Sequence, residues 1–242
     1  MSCAESRDSR TERLLGAEAM QSLRDARVLI AGVGGVGGYA AEMLARSGVG
    51  HIAIVDADCV SLTNINRQLI ADMETLGKPK VELFARRFKA INPDIEITAI
   101  QTFITPDNIE SLLSCGYDAV IDAIDTVAPK IALIEYCIKN KIKIISSMGA
   151  GGRLNPAKIG YFDISATTED GLARVVRQRL RKDGINHGLT VVASTERPCR
   201  RSVIPLDEPN KRSSFGTLAT IPAIFGIYLA NHIILHLTGL RQ

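Results

Sequence analysis

Gly32, Gly34, Gly35 and Gly37 sit inside one run, Arg27-Val-Leu-Ile-Ala-Gly32-Val-Gly34-Gly35-Val-Gly37-Gly38. An apolar strand enters this turn and an alanine-rich helix leaves it. In that setting each glycine has a separate task. Gly32 permits the tight turn, Gly34 and Gly35 let a phosphate approach bare backbone, and Gly37 lets helix and strand pack closely. The helix directs its free N–H groups and the positive end of its dipole at the same phosphate. A second apolar run, His51-Ile-Ala-Ile-Val-Asp56, ends in an acid roughly 20 residues on, where a ribose ligand belongs. A glycine turn without a ligand is the plainer alternative; the strand, helix and acid around this one argue for a nucleotide.

The residues that follow select among nucleotide chemistries. Hydride transfer needs no arginine and lysine beside the phosphates. ATP cleavage does, because negative charge grows on the triphosphate in the transition state and fixed cations stabilise it. Arg67, in Asn64-Ile-Asn66-Arg67-Gln68, and Lys80, in Gly77-Lys78-Pro79-Lys80, supply such cations. Their plainer readings are a surface ion pair for Arg67 and a helix start for Lys80. Asp125, in Asp122-Ala-Ile-Asp125 at the end of another apolar run, can hold Mg²⁺ against the phosphates. Asp122 reads as a structural carboxylate that caps a helix or binds backbone. Lys130 could reach the same mouth from the next helix.

Short Val/Ile-rich runs alternating with amphipathic stretches must position these groups. Strands are expected over 27–32, 51–56, 95–100, 118–122 and 142–148, and helices over 36–47, 78–90, 106–114 and 127–140. That alternation predicts an α/β fold with a doubly wound, mostly parallel sheet, a Rossmann-like core with a C-terminal extension. Pro106-Asp-Asn108 fits a helix first turn and Gly116 its stop. After Met148 the pattern changes. Gly149-Ala-Gly151-Gly152 breaks the chain, Tyr161 to Ile164 suggests a strand, and 170–182 reads as a basic amphipathic helix. Residues 183–214 are polar, proline-containing and irregular. The expected division is a nucleotide-binding core with an N-terminal arm over 1–156 and a C-terminal part over 157–242, either a subdomain or a continuation of the core.

At 242 residues and 46% hydrophobic content, the chain can form one large domain or a domain with a subdomain. The net charge of +3 says little about partners. Cys3, Cys59, Cys115, Cys137 and Cys199 form no Cys-x-x-Cys pair, which excludes the usual zinc ribbon, does not suggest a disulfide framework, and points to a reducing cytoplasm. The polar, charged N-terminus does not read as an ordinary secretory signal. The most apolar stretch, Ile221 to Leu240, is interrupted by Asn231, His232 and His236. It reads as a buried or interface helix without stable membrane insertion, membrane-surface association being the weaker alternative.

Taken in order, Gly-x-Gly-Gly-x-Gly, Asp-x-Asp, Asn-x-x-Arg-Gln, Pro-Lys-Val-Glu and Asp-Ala-x-Asp resemble the ubiquitin-activating-enzyme-like adenylating superfamily. Arg13-Leu-Leu-Gly16, Thr105-Pro-Asp-Asn108, Gly149-Ala-Gly-Gly152 and Ser194-Thr-Glu196 are most similar to its branch of bacterial dehydratases that act on threonylcarbamoyladenosine in tRNA. The likeness is dense from about residue 10 to residue 156 and looser to the C-terminal helix. It implies a cytoplasmic enzyme that uses ATP and Mg²⁺, with tRNA as partner, to cyclise the modified adenosine next to the anticodon through a carboxyl-adenylate. It also implies that Gly32, Gly34, Gly35 and Gly37 cradle phosphates and that Asp56 holds the ribose with Asp58 nearby. Asn64, Arg67, Gln68 and Lys80 would line the triphosphate, and Asp125 would bind or orient the metal. An arginine near the N-terminus, Arg13 or secondly Arg10, would reach a partner subunit's site, so a homodimer is expected. The resemblance leaves room for a monovalent cation and for a sulfur-transfer or cysteine desulfurase partner.

A basic tract adds to this picture. Arg174, Arg177, Arg179, Arg181, Lys182, Arg197, Arg200, Arg201, Lys211 and Arg212 crowd one third of a nearly neutral chain. On the 170–182 helix, Leu172, Val175, Val176 and Leu180 form an apolar stripe that leaves Arg174, Arg177 and Arg181 opposite. A solvated helix usually mixes signs, so Arg174, Arg177, Arg181, Arg197, Arg200 and Arg201 are read as a track for an RNA backbone. Aromatics for base stacking are scarce, Phe215 being the nearest. Cys199, flanked by Arg197, Arg200 and Arg201, could be taken for a thioester nucleophile, but no base accompanies it and ring closure by a tethered group needs no covalent sulfur. One rival is adenylation of the C-terminus of a ubiquitin-like sulfur carrier. Its bacterial enzymes typically carry Cys-x-x-Cys zinc pairs, which this chain lacks. A nucleotide-binding module without turnover, and a nicotinamide enzyme, are further rivals.

Overall fold

Residues 28–31, Val-Leu-Ile-Ala, are buried along their whole length and alternate between two separate cores. Val28 and Ile30 pack with one set of helices, Leu29 and Ala31 with the other. A strand covered on both faces has no polar side, which is why it reads as a continuous apolar run. In the computed structural model, which describes residues 6–208 and 211–240, this strand is the centre of the molecule.

The chain begins with α1 (Ser9–Leu15) and α2 (Ala17–Asp25), then β1 (Arg27–Ala31), α3 (Gly37–Arg46) and β2 (His51–Val55). There follow α4 (Lys80–Ile91), β3 (Glu96–Ile100), α5 (Ile109–Leu113), β4 (Ala119–Asp122), α6 (Val127–Lys139) and β5 (Lys143–Ser147). The last part holds β6 (Ile159–Asp163), α7 (Gly171–Lys182), β7 (Thr190–Ser194), β8 (Val203–Glu208), β9 (Lys211–Phe215) and α8 (Thr220–Leu237). Seven strands form one sheet in the order β3-β2-β1-β4-β5-β7-β6. All pairs are parallel except β6 with β7. The order reverses between β1 and β4, which opens a crevice at the carboxyl ends of the strands. One core includes Phe84 and Phe88 of α4 and Phe225, Leu229 and Ile233 of α8; the other includes Leu133 of α6 and Val176 and Leu180 of α7.

Three expectations need correction. The helix expected over 106–114 is only Ile109–Leu113. Asn108 accepts a bond from the Thr105 N–H and donates to the Phe103 carbonyl, so Pro106 and Asp107 lie in a turn that the asparagine closes. The stretch expected to be irregular, 183–214, contains β7, almost wholly buried and paired with β5, and the antiparallel pair β8–β9. Thr190-Val-Val-Ala-Ser is a short apolar strand hidden among polar neighbours. The sheet therefore extends past residue 156. The expected strand at Tyr161 to Ile164 starts two residues earlier and ends at Asp163.

Among the described residues, α8 is the one helix long and apolar enough to cross a membrane. Its buried face, which includes Ile221, Phe225, Leu229 and Ile233, belongs to the core under the sheet. A Cβ added at Gly226 would lie 2.3 Å from the Val36 carbonyl oxygen and 2.8 Å from the Tyr39 Cβ. The helix backbone thus lies directly against the start of α3. Cys3 and residues 209–210 are outside the described residues, as are the side chains of Lys211 and Arg212.

Candidate active site

A cleft of about 710 Å³ runs along the carboxyl ends of β1, β2, β4 and β5, across the point where the strand order reverses. That size is typical of a pocket for one small ligand. Gly32, Gly34, Gly35, Asp56, Asp58, Asn64, Arg67, Gln68, Lys80 and Asp125 all line it. Gly37 lies beneath it. A Cβ there would meet the Gly32 carbonyl oxygen at 1.8 Å, so strand and helix can cross this closely only at glycine. Gly32 has φ +86°, a conformation few other residues adopt. Val36 lies at the N-terminus of α3, which carries no side-chain cap. The helix end is left to a ligand.

Each polar group in the wall has a definite support. Asp56 accepts the Val33 N–H on one carboxylate oxygen (2.8 Å) and the Asp58 N–H on the other (2.9 Å). It thereby ties the glycine turn to the loop after β2, and each oxygen keeps lone-pair capacity for a hydroxyl. Asn64 uses its side-chain carbonyl to cap the Ser61 N–H within a short 3-10 turn, which fixes the loop that carries Arg67. Arg67 donates to the Thr63 carbonyl (2.8 Å) and to Asn66 Oδ1 (2.9 Å). Gln68 is buried, and its Oε1 has no partner. A buried acceptor left unpaired costs roughly 1–3 kcal/mol, so this atom points to a missing donor on a ligand.

Lys80 opens α4 with its side chain almost fully buried, and its Nζ donates to Asp58 Oδ2 at 2.7 Å. Asp58 is therefore engaged by the lysine and not open solely to ribose. The pairing holds the ammonium in the wall, and two of its three N–H donors are left for phosphate oxygens. Asp125 stands exposed at the mouth, with the Thr126 hydroxyl 3.5 Å away. No group of three or more His, Cys, Asp or Glu able to hold a metal occurs among the described residues. Mg²⁺ commonly binds through one or two carboxylates plus substrate phosphates, and Asp125 fits that use.

Beneath the mouth, Lys130 and Asp122 are fully buried. Lys130 Nζ donates to Asp122 Oδ2 (2.6 Å), Ser146 Oγ (3.1 Å) and the Ser147 carbonyl (3.0 Å). Its three donors are spent, so it cannot touch a substrate. The other Asp122 oxygen accepts the Ile124 N–H at 3.0 Å, which shapes the turn presenting Asp125. Burial, and then the Asp122 charge, push the Cys137 thiol up to about 12, so it is inert at neutral pH.

Two supports had no sequence signal. Arg153 is buried and pairs with Asp170 Oδ2 at 2.8 Å. It also donates to the carbonyls of Gly149, Glu169, Ser194 and Glu196, while Asp170 Oδ2 accepts the Gly149 N–H. Together they lock the 149–152 turn, which floors the far end of the cleft, to α7 and the end of β7. The second support is Asn66, whose amide donates to the Thr217 carbonyl at 3.0 Å and joins the Arg67 loop to the segment after β9.

The basic residues divide. Arg174, Arg181, Arg197, Arg200 and Arg201 are exposed. Arg177 is not on an open face: it is half-buried and donates to the Thr167 carbonyl and hydroxyl and the Ile164 carbonyl. The 3.6-residue period placed it opposite the apolar stripe, but the long side chain bends back to carbonyls that the period could not foresee. Arg13 lies exposed on α1, and neither it nor Arg10 lines this chain's own cleft. Cys199 is half-buried and does not line it either.

A model described as ThiF family matches residues 6–242. The chain is 42% identical over 237 residues to the tRNA threonylcarbamoyladenosine dehydratase of Bacillus subtilis (strain 168), covering 95% of this chain and 93% of that protein. Against the Escherichia coli (strain K12) protein of the same name, identity is 40% over 240 residues, covering 92% and 90%. The crystal structure of E. coli tRNA N6-threonylcarbamoyladenosine dehydratase, TcdA, in complex with ATP superposes with a TM-score of 0.88 at 39% identity, covering 96% of this chain and 94% of that one.

Proposed function

Because the chain belongs to the ThiF family, we propose that it is an ATP-dependent enzyme that removes water from threonylcarbamoyladenosine in tRNA, closing a ring on the modified base. Its relatives carry that name, and one of them binds ATP in the same fold. The observation that carries the reading is the single cleft that gathers the glycine turn, the uncapped start of α3, Asp56, Arg67, Lys80 and Asp125.

The chemistry follows from that arrangement. The threonyl carboxylate attacks the α-phosphate of ATP, a new O–P bond forms, and pyrophosphate leaves. Arg67 and Lys80 stabilise the charge that builds on the phosphates, and the backbone of Gly34 and Gly35 holds them. Mg²⁺ bound with the triphosphate beside Asp125 would neutralise further charge on its oxygens. The carbamoyl group then attacks the activated carbonyl carbon, AMP departs, and the attacking group loses its proton. Because the nucleophile is tethered, proximity supplies much of the rate and no cysteine or serine nucleophile is needed. Arg174, Arg181, Arg197, Arg200 and Arg201 would meet the tRNA backbone. Arg13 would complete the site of a second copy in a homodimer. A cytoplasmic setting goes with this reading.

Incubation of the purified protein with ATP, Mg²⁺ and tRNA bearing threonylcarbamoyladenosine should convert that nucleoside to one lighter by a water, with AMP formed in step. AMP formation only in the presence of a protein with a Gly-Gly tail, and no change in the tRNA, would replace this reading with sulfur-carrier adenylation.

A further inference from the structure

One aromatic ring stands at the end of the cleft away from Asp56. Phe215, the last residue of β9, lines the cleft with Gly149, Gly151, Leu172 and Thr217. It is 36% exposed, whereas Phe84, Phe88 and Phe225 are fully buried in the core. One side of Phe215 is seated on glycine backbone. A Cβ added at Gly151 would come within 2.7 Å of the Phe215 Cβ, and one at Gly152 within 3.0 Å of its Cδ1.

The flanking backbone is pinned from several directions. The Gly216 N–H donates to the Ser202 carbonyl (2.7 Å), the Gly152 N–H donates to the Gly216 carbonyl (2.9 Å), and Asn66 holds the Thr217 carbonyl. The ring is thus open to the cleft and rigidly mounted. Phe103, 53% exposed, also lines the cleft but follows β3 on the Asp56 side.

The two ends of the cleft differ in what they offer. In the order β2-β1-β4-β5, three strand spacings of about 4.8 Å put the β5 end about 14 Å from the Asp56 end. With ribose at Asp56 and phosphates at the glycine turn between, the β5 end is left for the group that attacks the α-phosphate. That end presents an aromatic face and the glycine turn 149–152, and the exposed Arg200 and Arg201 immediately precede Ser202, whose carbonyl accepts the Gly216 N–H next to Phe215. A flat ring beside cations is the chemistry of an unpaired base and its phosphates, and RNA loops are read largely by stacking of this kind. A Gly-Gly tail has no aromatic ring to stack on it.

We infer that Phe215 is the stacking platform for the base of the substrate nucleoside, with Arg200 and Arg201 on the adjoining phosphates. This rests on the reading of RNA as the substrate and adds to it the residue that seats the reacting nucleotide.

The chain contains no tryptophan, so a Phe215→Trp variant carries a single indole at the proposed contact. Saturating tRNA bearing threonylcarbamoyladenosine, without ATP, should quench its emission, and ATP alone should not. Phe215→Leu should weaken binding of that tRNA by about 5- to 150-fold, the range for one lost base–aromatic stack, with ATP affinity unchanged. Phe215→Tyr should bind like the wild type. Wild-type affinity in the leucine variant, or unaltered indole emission at saturating tRNA, would overturn the assignment. Failure of the wild-type protein itself to bind the tRNA would overturn the RNA reading, and the stacking with it.

Discussion

Replacing Lys130 by methionine leaves a carboxylate stranded in the core. Lys130 and Asp122 are both fully buried and 2.6 Å apart, and the ammonium also satisfies Ser146 and the Ser147 carbonyl. The substitution removes three hydrogen bonds at once. Asp122 retains only the Ser146 hydroxyl and the Ile124 N–H as donors. Breaking a buried pair from one side costs about 3–5 kcal/mol. For a chain of this size that corresponds to a fall in Tm of roughly 6–20 °C. Removing both charges together is far milder, because no charge is left without a partner. The double variant Lys130→Met/Asp122→Leu should therefore be more stable than the sum of the single losses, with a coupling energy of about 2 kcal/mol or more. Chemical denaturation of the wild type, the two single variants and the double variant measures this cycle directly. A loss under about 1 kcal/mol for Lys130→Met, or strictly additive single effects, would refute the buried network as the support of the turn that carries Asp125.

Three further outcomes are expected. Arg67→Ala and Lys80→Ala should fold normally yet cut ATP-dependent turnover by about 10²–10³-fold, and mixing Arg13→Ala with Arg67→Ala protein should restore part of the activity if Arg13 serves a second copy. No rescue in a mixture shown to exchange subunits would place the arginine's action within one chain. Arg177→Ala should cost about 1.5–3 kcal/mol of stability with tRNA affinity intact, whereas Arg174→Glu and Arg181→Glu should weaken tRNA binding and flatten its salt dependence with little effect on stability. The pKa of His232 is pushed down to about 4 by burial, then by Lys143 and His236. The fold therefore favours the neutral ring, and stability should fall as pH drops from the usual histidine value of 6.5 toward 4. Unfolding midpoints followed across that window should decline less in a His232→Gln variant.

The parts of the site built from backbone were the easiest to read. A central strand buried on both faces has an unbroken apolar run, and a turn that demands glycine shows it, so the phosphate turn and the strands of the nucleotide-binding half were legible within a residue or two. β7 obeys the same rule, but Thr190 to Ser194 is short and lies among polar residues. Side chains whose role depends on a distant partner were not legible. By sequence Lys130 could reach the mouth from the next helix; that its donors are spent instead on Asp122, Ser146 and the Ser147 carbonyl emerges only from the fold. Arg153 gives no sign of the four carbonyls it gathers. The reach of Arg177 toward Thr167 is likewise invisible to a helical wheel.

The seating of Gly226 against Val36 and Tyr39 bears on the order in which the site comes into being. The phosphate turn is encoded near the start of the chain, but α8, the helix braced against it, is encoded near the other end. Contacts between segments so far apart in sequence are slow to form and late on the ribosome, where N-terminal segments emerge first. A nascent chain can complete β1, α3 and β2 and still lack both the brace for its nucleotide end and the far wall at Phe215 and Thr217, where the attacking group is seated. The braced site, with both of its ends in place, is then a property of the finished molecule.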